Sequence, residues 1–253
     1  MKTVTVHNKK GGVGKSTTTQ SLASALLHKG YRVLVIDCDS QRNTSDAYDA
    51  LNDRKALTMF DFFSGRCDIA EAIQHTASGD IIISDKHLNA AETWINERSD
   101  GLLCLKNALN SISNMYDFVL IDTNMSHNAI TKAAILACDE VIVPVDDSKY
   151  AMQGTFAAAN LVIELNEKYG TSVKIGGILR IKYRADYQSW KAVDNAYEAL
   201  VTDEVFNTKV YNTTIPTGTI VSKAQLAKQS VIDYEKGSSV SKAYIQFAEE
   251  FVA

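Results

Sequence analysis

The sequence predicts an α/β fold: a single domain over residues 1–253 built on a mostly parallel, twisted sheet with helices on both faces. Three observations predict it. A glycine-rich stretch, Lys10-Gly11-Gly12-Val13-Gly14-Lys15-Ser16-Thr17, stands between a β-branched run and a helical pattern. Two apolar runs, Tyr31 to Ile36 and Phe118 to Ile121, each end in an aspartate, as strands buried on both faces of a parallel sheet do. Helical patterns of about 12 to 18 residues separate the strands, which implies right-handed βαβ units.

Composition narrows the class further. With 45% hydrophobic and 22% charged residues, the chain reads as an ordinary globular protein. Only Pro144 and Pro216 interrupt it as prolines, and no Pro/Ser/Gly-rich linker divides it. A net charge of −4 gives no global attraction to nucleic acid or to an anionic membrane, so such binding needs a local patch. Cys38, Cys67, Cys104 and Cys138 are scattered without a C-x-x-C pair, which suggests neither a zinc site nor a disulfide framework and makes a reducing cytoplasm the default; Cys104 and Cys138 read as core thiols. The chain opens on a strand, so no signal peptide is expected. No apolar run approaches 18 residues.

Taken in order, Val4 to Val6 forms the first strand, and Leu22, Ala23, Leu26 and Leu27 mark the helix after the loop. Strand, glycine-rich turn and helix is the setting of a phosphate-binding P-loop. Gly11, Gly12 and Gly14 let the backbone wrap an anion, and the N–H groups around Val13 and Thr17 with the positive helix end point at it. Lys15 carries charge to the β and γ phosphates, and the Ser16 hydroxyl suits Mg²⁺. Gly14-Lys15-Ser16 fits the end of G-x-x-x-x-G-K-[ST], but position 9, where its first glycine belongs, is Lys9.

Tyr31 to Ile36 is the second strand, ending at Asp37-Cys38-Asp39-Ser40-Gln41-Arg42-Asn43. Short helical patterns follow at Leu57-Phe60-Phe63 and Ile69-Ala72-Ile73, then a strand at Ile81 to Ile83 and a helix from Leu102 to Met115. Phe118 to Ile121 ending in Asp122 has the form of a Walker B strand, whose aspartate holds Mg²⁺ through its waters. Glu140 to Val145 is a strand, Tyr150 to Lys168 a helix, Val173 to Leu179 a strand and Val210 to Ile215 the last strand. The histidines show no ligand spacing. In the final helix Val240, Tyr244, Phe247, Ala248 and Phe251 form an apolar stripe that reads as core rather than membrane anchor, since Lys242 faces Glu249 and Glu250.

These motifs resemble the ParA/MinD group of P-loop ATPases, whose deviant loop carries an extra lysine where Lys10 stands. The resemblance covers most of the chain. It implies that the Lys10 of one subunit reaches the partner's phosphates across an ATP-dependent homodimer. Residues 37–43 look like that family's D-x-D-P-Q-x-N segment, with Ser40 replacing the proline. By resemblance Asp39 positions the attacking water, and Asp37 and Asp39 stand near the Mg²⁺ held with Ser16 and Asp122. Asp122-Thr123-Asn124-Met125-Ser126 stands where the family has D-x-P-P-S, the segment sensing the γ-phosphate. Glu140 to Val145 matches D-E-V-x-x-P-V, and the Ile-Pro before Thr217 places Pro216 and Thr217 beside the adenine.

The resemblance implies ATP and Mg²⁺ as cofactors and hydrolysis to ADP and phosphate. Within the group it favours the ParA branch. These partition ATPases coat nucleoid DNA non-specifically, and a centromere-binding ParB-type protein releases them. With no N-terminal helix-turn-helix extension expected, the chain resembles the short plasmid types. Candidate DNA contacts are Arg180, Lys182, Arg184, Lys191, Lys223 and Lys228, though a solvated surface accounts for any one of them equally well. The family's Ile-Pro-Arg-Asn-Val-Arg reads Ile215-Pro216-Thr217-Gly218-Thr219-Ile220 here, so both arginine positions are lost. Two other readings remain: an ATPase positioning a different cargo, and a MinD-like membrane-patterning ATPase, which the C-terminus disfavours. A metabolic kinase or synthetase would need an acceptor motif, and none is seen.

Overall fold

The computed structural model describes residues 1–51, 55–148, 150–184, 190, 193–195, 197, 201 and 208–253. Eight strands make one sheet: β1 (Lys2–Val6), β2 (Val33–Cys38), β3 (Gln74–Thr76), β4 (Gly79–Ile82), β5 (Phe118–Thr123), β6 (Glu140–Val145), β7 (Lys174–Tyr183) and β8 (Val210–Pro216). Their order is β3-β4-β2-β5-β1-β6-β7-β8. Every pairing is parallel except that of the edge strand β3 with β4. Helices α1 (Lys15–His28), α2 (Asn43–Asp46), α3 (Met59–Phe63), α4 (Glu92–Glu97), α5 (Cys104–Ser111), α6 (Ala129–Ala137) and α7 (Ala151–Tyr169) flank it. After β8 come α8 (Ile220–Leu226), α9 (Val231–Tyr234) and α10 (Ser239–Val252).

All six residues of β2 and of β5 are buried, because apolar side chains leave both faces of these central strands. On one face Leu22 and Leu26 of α1 pack with Tyr244, Phe247 and Phe251 of α10. On the other, Leu105 and Leu109 of α5 and Ile130 of α6 cover Leu34, Ile36, Val119 and Ile121. The C-terminal stripe is core: Val240, Tyr244, Phe247, Ala248 and Phe251 are all buried, and the Phe247 ring stands edge-on to Tyr211 at 4.8 Å. Burying one such aromatic stabilises the fold by about 1.5–3 kcal/mol. Among the described residues no helix is long and apolar enough to cross a membrane.

Several boundaries differ from the sequence expectation, each for a local reason. Tyr31 lies in the turn that caps α1, before β2 begins at Val33: Gly30 turns left-handed at φ 88°, and the Tyr31 N–H donates to Leu26 O. At its other end β2 continues to Cys38, so Asp37 lies inside the strand. The apolar spacing at Ile69-Ala72-Ile73 forms two turns, closed by Glu71 N to Asp68 O and Ile73 N to Ala70 O, and no helix. The helix expected from Leu102 to Met115 is a 3₁₀ turn at Gly101–Leu103 followed by α5, which stops at Ser111. β7 runs four residues past Leu179, which places Arg180 and Lys182 in a strand.

Strand β1 lies between β5 and β6, while the chain leaves it toward β2. The strand order therefore reverses around β1. In open α/β sheets the crevice at the carboxyl ends of such strands is where ligands bind.

Candidate functional site

The loop of residues 7–14 leaves β1 at that crevice. Its start is tied to β6: His7 N–H donates to Ile142 O at 3.0 Å, and the Asn8 amide donates to Pro144 O at 2.9 Å. Asn8 Oδ1 accepts the Lys10 N–H at 2.9 Å, which fixes the turn into the glycines. Gly12 and Gly14 are left-handed, at φ 74° and 70°. A Cβ at Gly14 would also lie 2.9 Å from Ile181 Cδ1, so only glycine fits there. Helix α1 starts at Lys15 with no side chain capping its first turn, leaving its N–H groups directed at the loop.

Lys15 is buried, and its ammonium donates to Lys10 O at 3.3 Å. Desolvation lowers its pKa, against the attraction of Asp122 and Asp39. Asp37 and Asp122 are register partners on β2 and β5, both fully buried. Asp37 accepts from the Ser45 hydroxyl and N–H at 2.7 Å each, and from the Asp39 N–H at 3.0 Å. Asp122 Oδ2 accepts from the Thr44 hydroxyl at 2.7 Å, while its buried Oδ1 has no partner. Burial first, and then a neighbouring carboxylate's charge, pushes both pKa values up; hydrogen bonds from Ser16 and Thr44 offset part of this at Asp122. Two buried acids, one oxygen unpaired, beside a serine hydroxyl are a donor set suited to Mg²⁺, which keeps waters and binds through one or two carboxylates with substrate phosphates.

Asp39 is half-buried at the end of β2, and its side chain accepts the Gln41 N–H at 3.0 Å. That turn stands where Ser40 replaces the family's proline. Past Asp122, Asn124 Oδ1 accepts the Ser126 N–H at 2.7 Å and the Thr131 hydroxyl at 3.2 Å. A side-chain-closed turn thus shapes this segment without prolines. Met125 is exposed, with its sulfur 3.3 Å from a Cβ built at Gly11.

Two residues near the loop were not among the sequence candidates. Asp146, one residue past β6, holds Lys10: the ammonium donates to Asp146 Oδ1 and to the Ser148 hydroxyl, each at 2.7 Å. Although desolvation raises the Asp146 pKa, these bonds outweigh it and hold the carboxyl below its usual value. Its signal, an acid at the carboxyl end of a buried strand, is the one that Asp37 and Asp122 carry. His7 is the second. The Thr123 hydroxyl donates its hydrogen to Val6 O at 2.9 Å, so His7 Nδ1–H must donate to Thr123 Oγ1. Burial, with the charges of His127 and Lys15, lowers the His7 pKa to about 3, and it stays neutral.

Pro216 pairs with Tyr183 at the end of β8, and exposed Thr217 donates through its hydroxyl to Lys182 O at 3.1 Å. Among the described basic candidates, Arg180 and Lys182 are engaged within the fold. The Arg180 guanidinium is engaged by Asp194 at 3.1 Å and Tyr211 O at 3.0 Å. Lys182 donates to Gly12 O of the loop at 2.8 Å. Arg184 is exposed past β7, Lys223 is exposed on α8 and Lys228 is exposed beyond it; Lys191 lies outside the described residues.

Residues 1–175 match the family model described as an AAA domain. The sporulation initiation inhibitor protein Soj of Bacillus subtilis is 28% identical, over 100% of this chain and 98% of its own. The crystal structure of a putative plasmid partition protein from Borrelia burgdorferi bound to AMPPNP superposes with a TM-score of 0.78 and 25% identity, covering 99% of this chain and 98% of that one. A cobyrinic acid a,c-diamide synthase from Mycobacterium smegmatis with ADP and magnesium shares the fold at a TM-score of 0.81 and 24% identity, covering 98% of this chain and 93% of that one. The chain belongs to the AAA-domain family and, within it, to the ParA/MinD group of ATPases.

Proposed function

We propose that this chain, as one domain over residues 1–253, is a ParA-type partition ATPase that binds DNA non-specifically as an ATP-dependent homodimer. A synthase shares the fold, so the fold alone does not set the function. The observation that carries the reading is Lys10, a second lysine in the phosphate loop, whose ammonium is held by Asp146 while its carbonyl accepts from Lys15. Lys15 is the lysine of the loop's own phosphate site, so Lys10 is surplus to it. It suits a triphosphate bound by a facing copy.

The chemistry is phosphoryl transfer to water, in which the protein places the water and stabilises spreading charge. Backbone N–H groups from Gly11 to Thr17 hold the phosphates, and Lys15 supplies charge at the β and γ positions. Ser16 and Asp122, with Asp37 and Asp39 beyond them, would hold Mg²⁺, which when bound would neutralise charge on the phosphate oxygens. Asp39 orients the water. Pro216 and Thr217 border the base. For Lys10 to serve the facing subunit, its ammonium exchanges Asp146 and Ser148 for phosphate oxygens. Dimer closure then reports the nucleotide state, and hydrolysis opens it.

A ParB-type centromere-binding protein is the partner that stimulates release, and the nucleoid in the cytoplasm is the site of action. Exposed Arg184, Lys223 and Lys228 supply phosphate contacts, as a chain of net charge −4 must do locally. Positioning of a different cargo by the same ATPase is the second reading. It is favoured by Thr217 and Ile220 standing where the family's arginines would. DNA retention measured with ATP, with ADP, and with a candidate partner tests the proposal. Retention with ATP alone, lost on adding the partner, is the expected result; equal retention in all three arms, or none, would refute it.

A further inference from the structure

We propose that Lys182 is a nucleotide-binding residue, an ammonium clamp for the ribose and α-phosphate, and not a contact for DNA. This rests on the reading of residues 10–17 as the ATP site. One residue here touches both ends of that site. Its side chain donates to Gly12 O in the phosphate loop at 2.8 Å, and its backbone carbonyl accepts from Thr217 at 3.1 Å. A nucleotide with its phosphates on the loop and its base beside Pro216 and Thr217 has its sugar and α-phosphate in the interval between them. Lys182 spans that interval.

The backbone is built to aim it there. Ile181 pairs with Ile215 and Tyr183 with Pro216, and the register shifts between them. At that irregularity Lys182 takes φ 54°, a left-handed conformation that a side chain of this kind adopts at a cost and that persists where its surroundings impose it. The neighbouring Ile181 also reaches the loop: its Cδ1 stands 2.9 Å from where a Cβ on Gly14 would be. The contact also has a counterpart. Lys15 donates to Lys10 O, as Lys182 donates to Gly12 O, so both ammonium groups rest on carbonyls of the same loop. Either can rotate from a neutral carbonyl to a phosphate oxygen, a charge-assisted and stronger bond.

An α-phosphate contact is common to ATP and ADP, and this separates Lys182 from Lys10 and from a DNA contact. The test is fluorescence titration of both nucleotides against the wild-type chain, Lys182→Gln, Lys182→Arg and Lys182→Gly, the last removing charge while relieving the left-handed backbone. The expected result is a loss of roughly tenfold for ATP and ADP alike in the Gln and Gly variants, largely restored in the Arg variant. Unchanged ADP affinity would overturn the clamp. So would a loss confined to ATP, or one confined to DNA retention at saturating ATP. If the wild-type chain bound neither nucleotide, the loop reading would fail and the clamp with it.

Discussion

Lys10 and Asp146 stand at the carboxyl ends of neighbouring strands, and the lysine ammonium lies 2.7 Å from the carboxylate of its own chain. The pair is mostly shielded from water, at 23% and 12% side-chain exposure. The residue that the ParA/MinD resemblance assigns to a partner's phosphates is therefore already committed within the subunit. In the proposed ATP-dependent dimer, closure would have to break this contact, so its strength would set a threshold for closure.

Weakening the pair should lower that threshold. Asp146→Asn keeps a hydrogen-bond acceptor but removes the charge, at a difference of about 1 kcal/mol. Because each of the two subunits gives up one such contact, about 2 kcal/mol per dimer, ATP-dependent dimers should then form at a protein concentration roughly thirtyfold lower, which light scattering across a dilution series can read. An unchanged midpoint would show that the contact does not compete with closure.

The carboxylate pair predicts a pH dependence. Asp37, raised by burial and by Asp122, has its folded pKa lifted from 3.8 to about 7. In that window the folded chain binds more protons than the unfolded one, so stability falls as pH rises. Without nucleotide or metal, the melting temperature should be lower at pH 7.5 than at pH 5.5. Mg²⁺ with ADP should raise it more at pH 7.5, where both acids must ionise. A larger gain at pH 5.5 would contradict the assignment of these acids to the metal.

Asp39→Ala should leave ATP-dependent dimers intact while slowing phosphate release by roughly a hundredfold, the usual range for a residue that positions a proton or water. Hydrolysis at the wild-type rate would remove Asp39 from the water's position.

Phe247 tests the core reading of the last helix. Phe247→Ala should cost about 3–5 kcal/mol, since the ring is fully buried against Tyr211 and Phe251. Its effect should appear in denaturant melts and not in liposome sedimentation. Loss of liposome binding without loss of stability would restore the membrane reading.

The parts of the fold legible in the sequence were those where burial is two-sided. β2 and β5 are apolar along their length and end in acids, so both strands and both aspartates could be read. β3, Gln74-His75-Thr76, could not: an edge strand of three polar residues carries no periodic signal and is defined by its hairpin with β4. The Ile69-Ala72-Ile73 spacing misled because buried side chains on consecutive turns mimic helical period. In the site, the glycines and Lys15 announced themselves by motif. Asp146 was passed over although it too ends a buried strand, and Lys182 was read as a DNA contact, because their partners Lys10 and Gly12 lie more than a hundred residues away in sequence and are met only in the fold.

The most direct test of the central claim is the molar mass in solution with a non-hydrolysable ATP analogue and Mg²⁺, measured for the wild-type chain and for Lys10→Ala. The account predicts a dimer for the first and a single chain for the second. A wild-type chain that stays single, or a Lys10→Ala variant that pairs equally well, would contradict it.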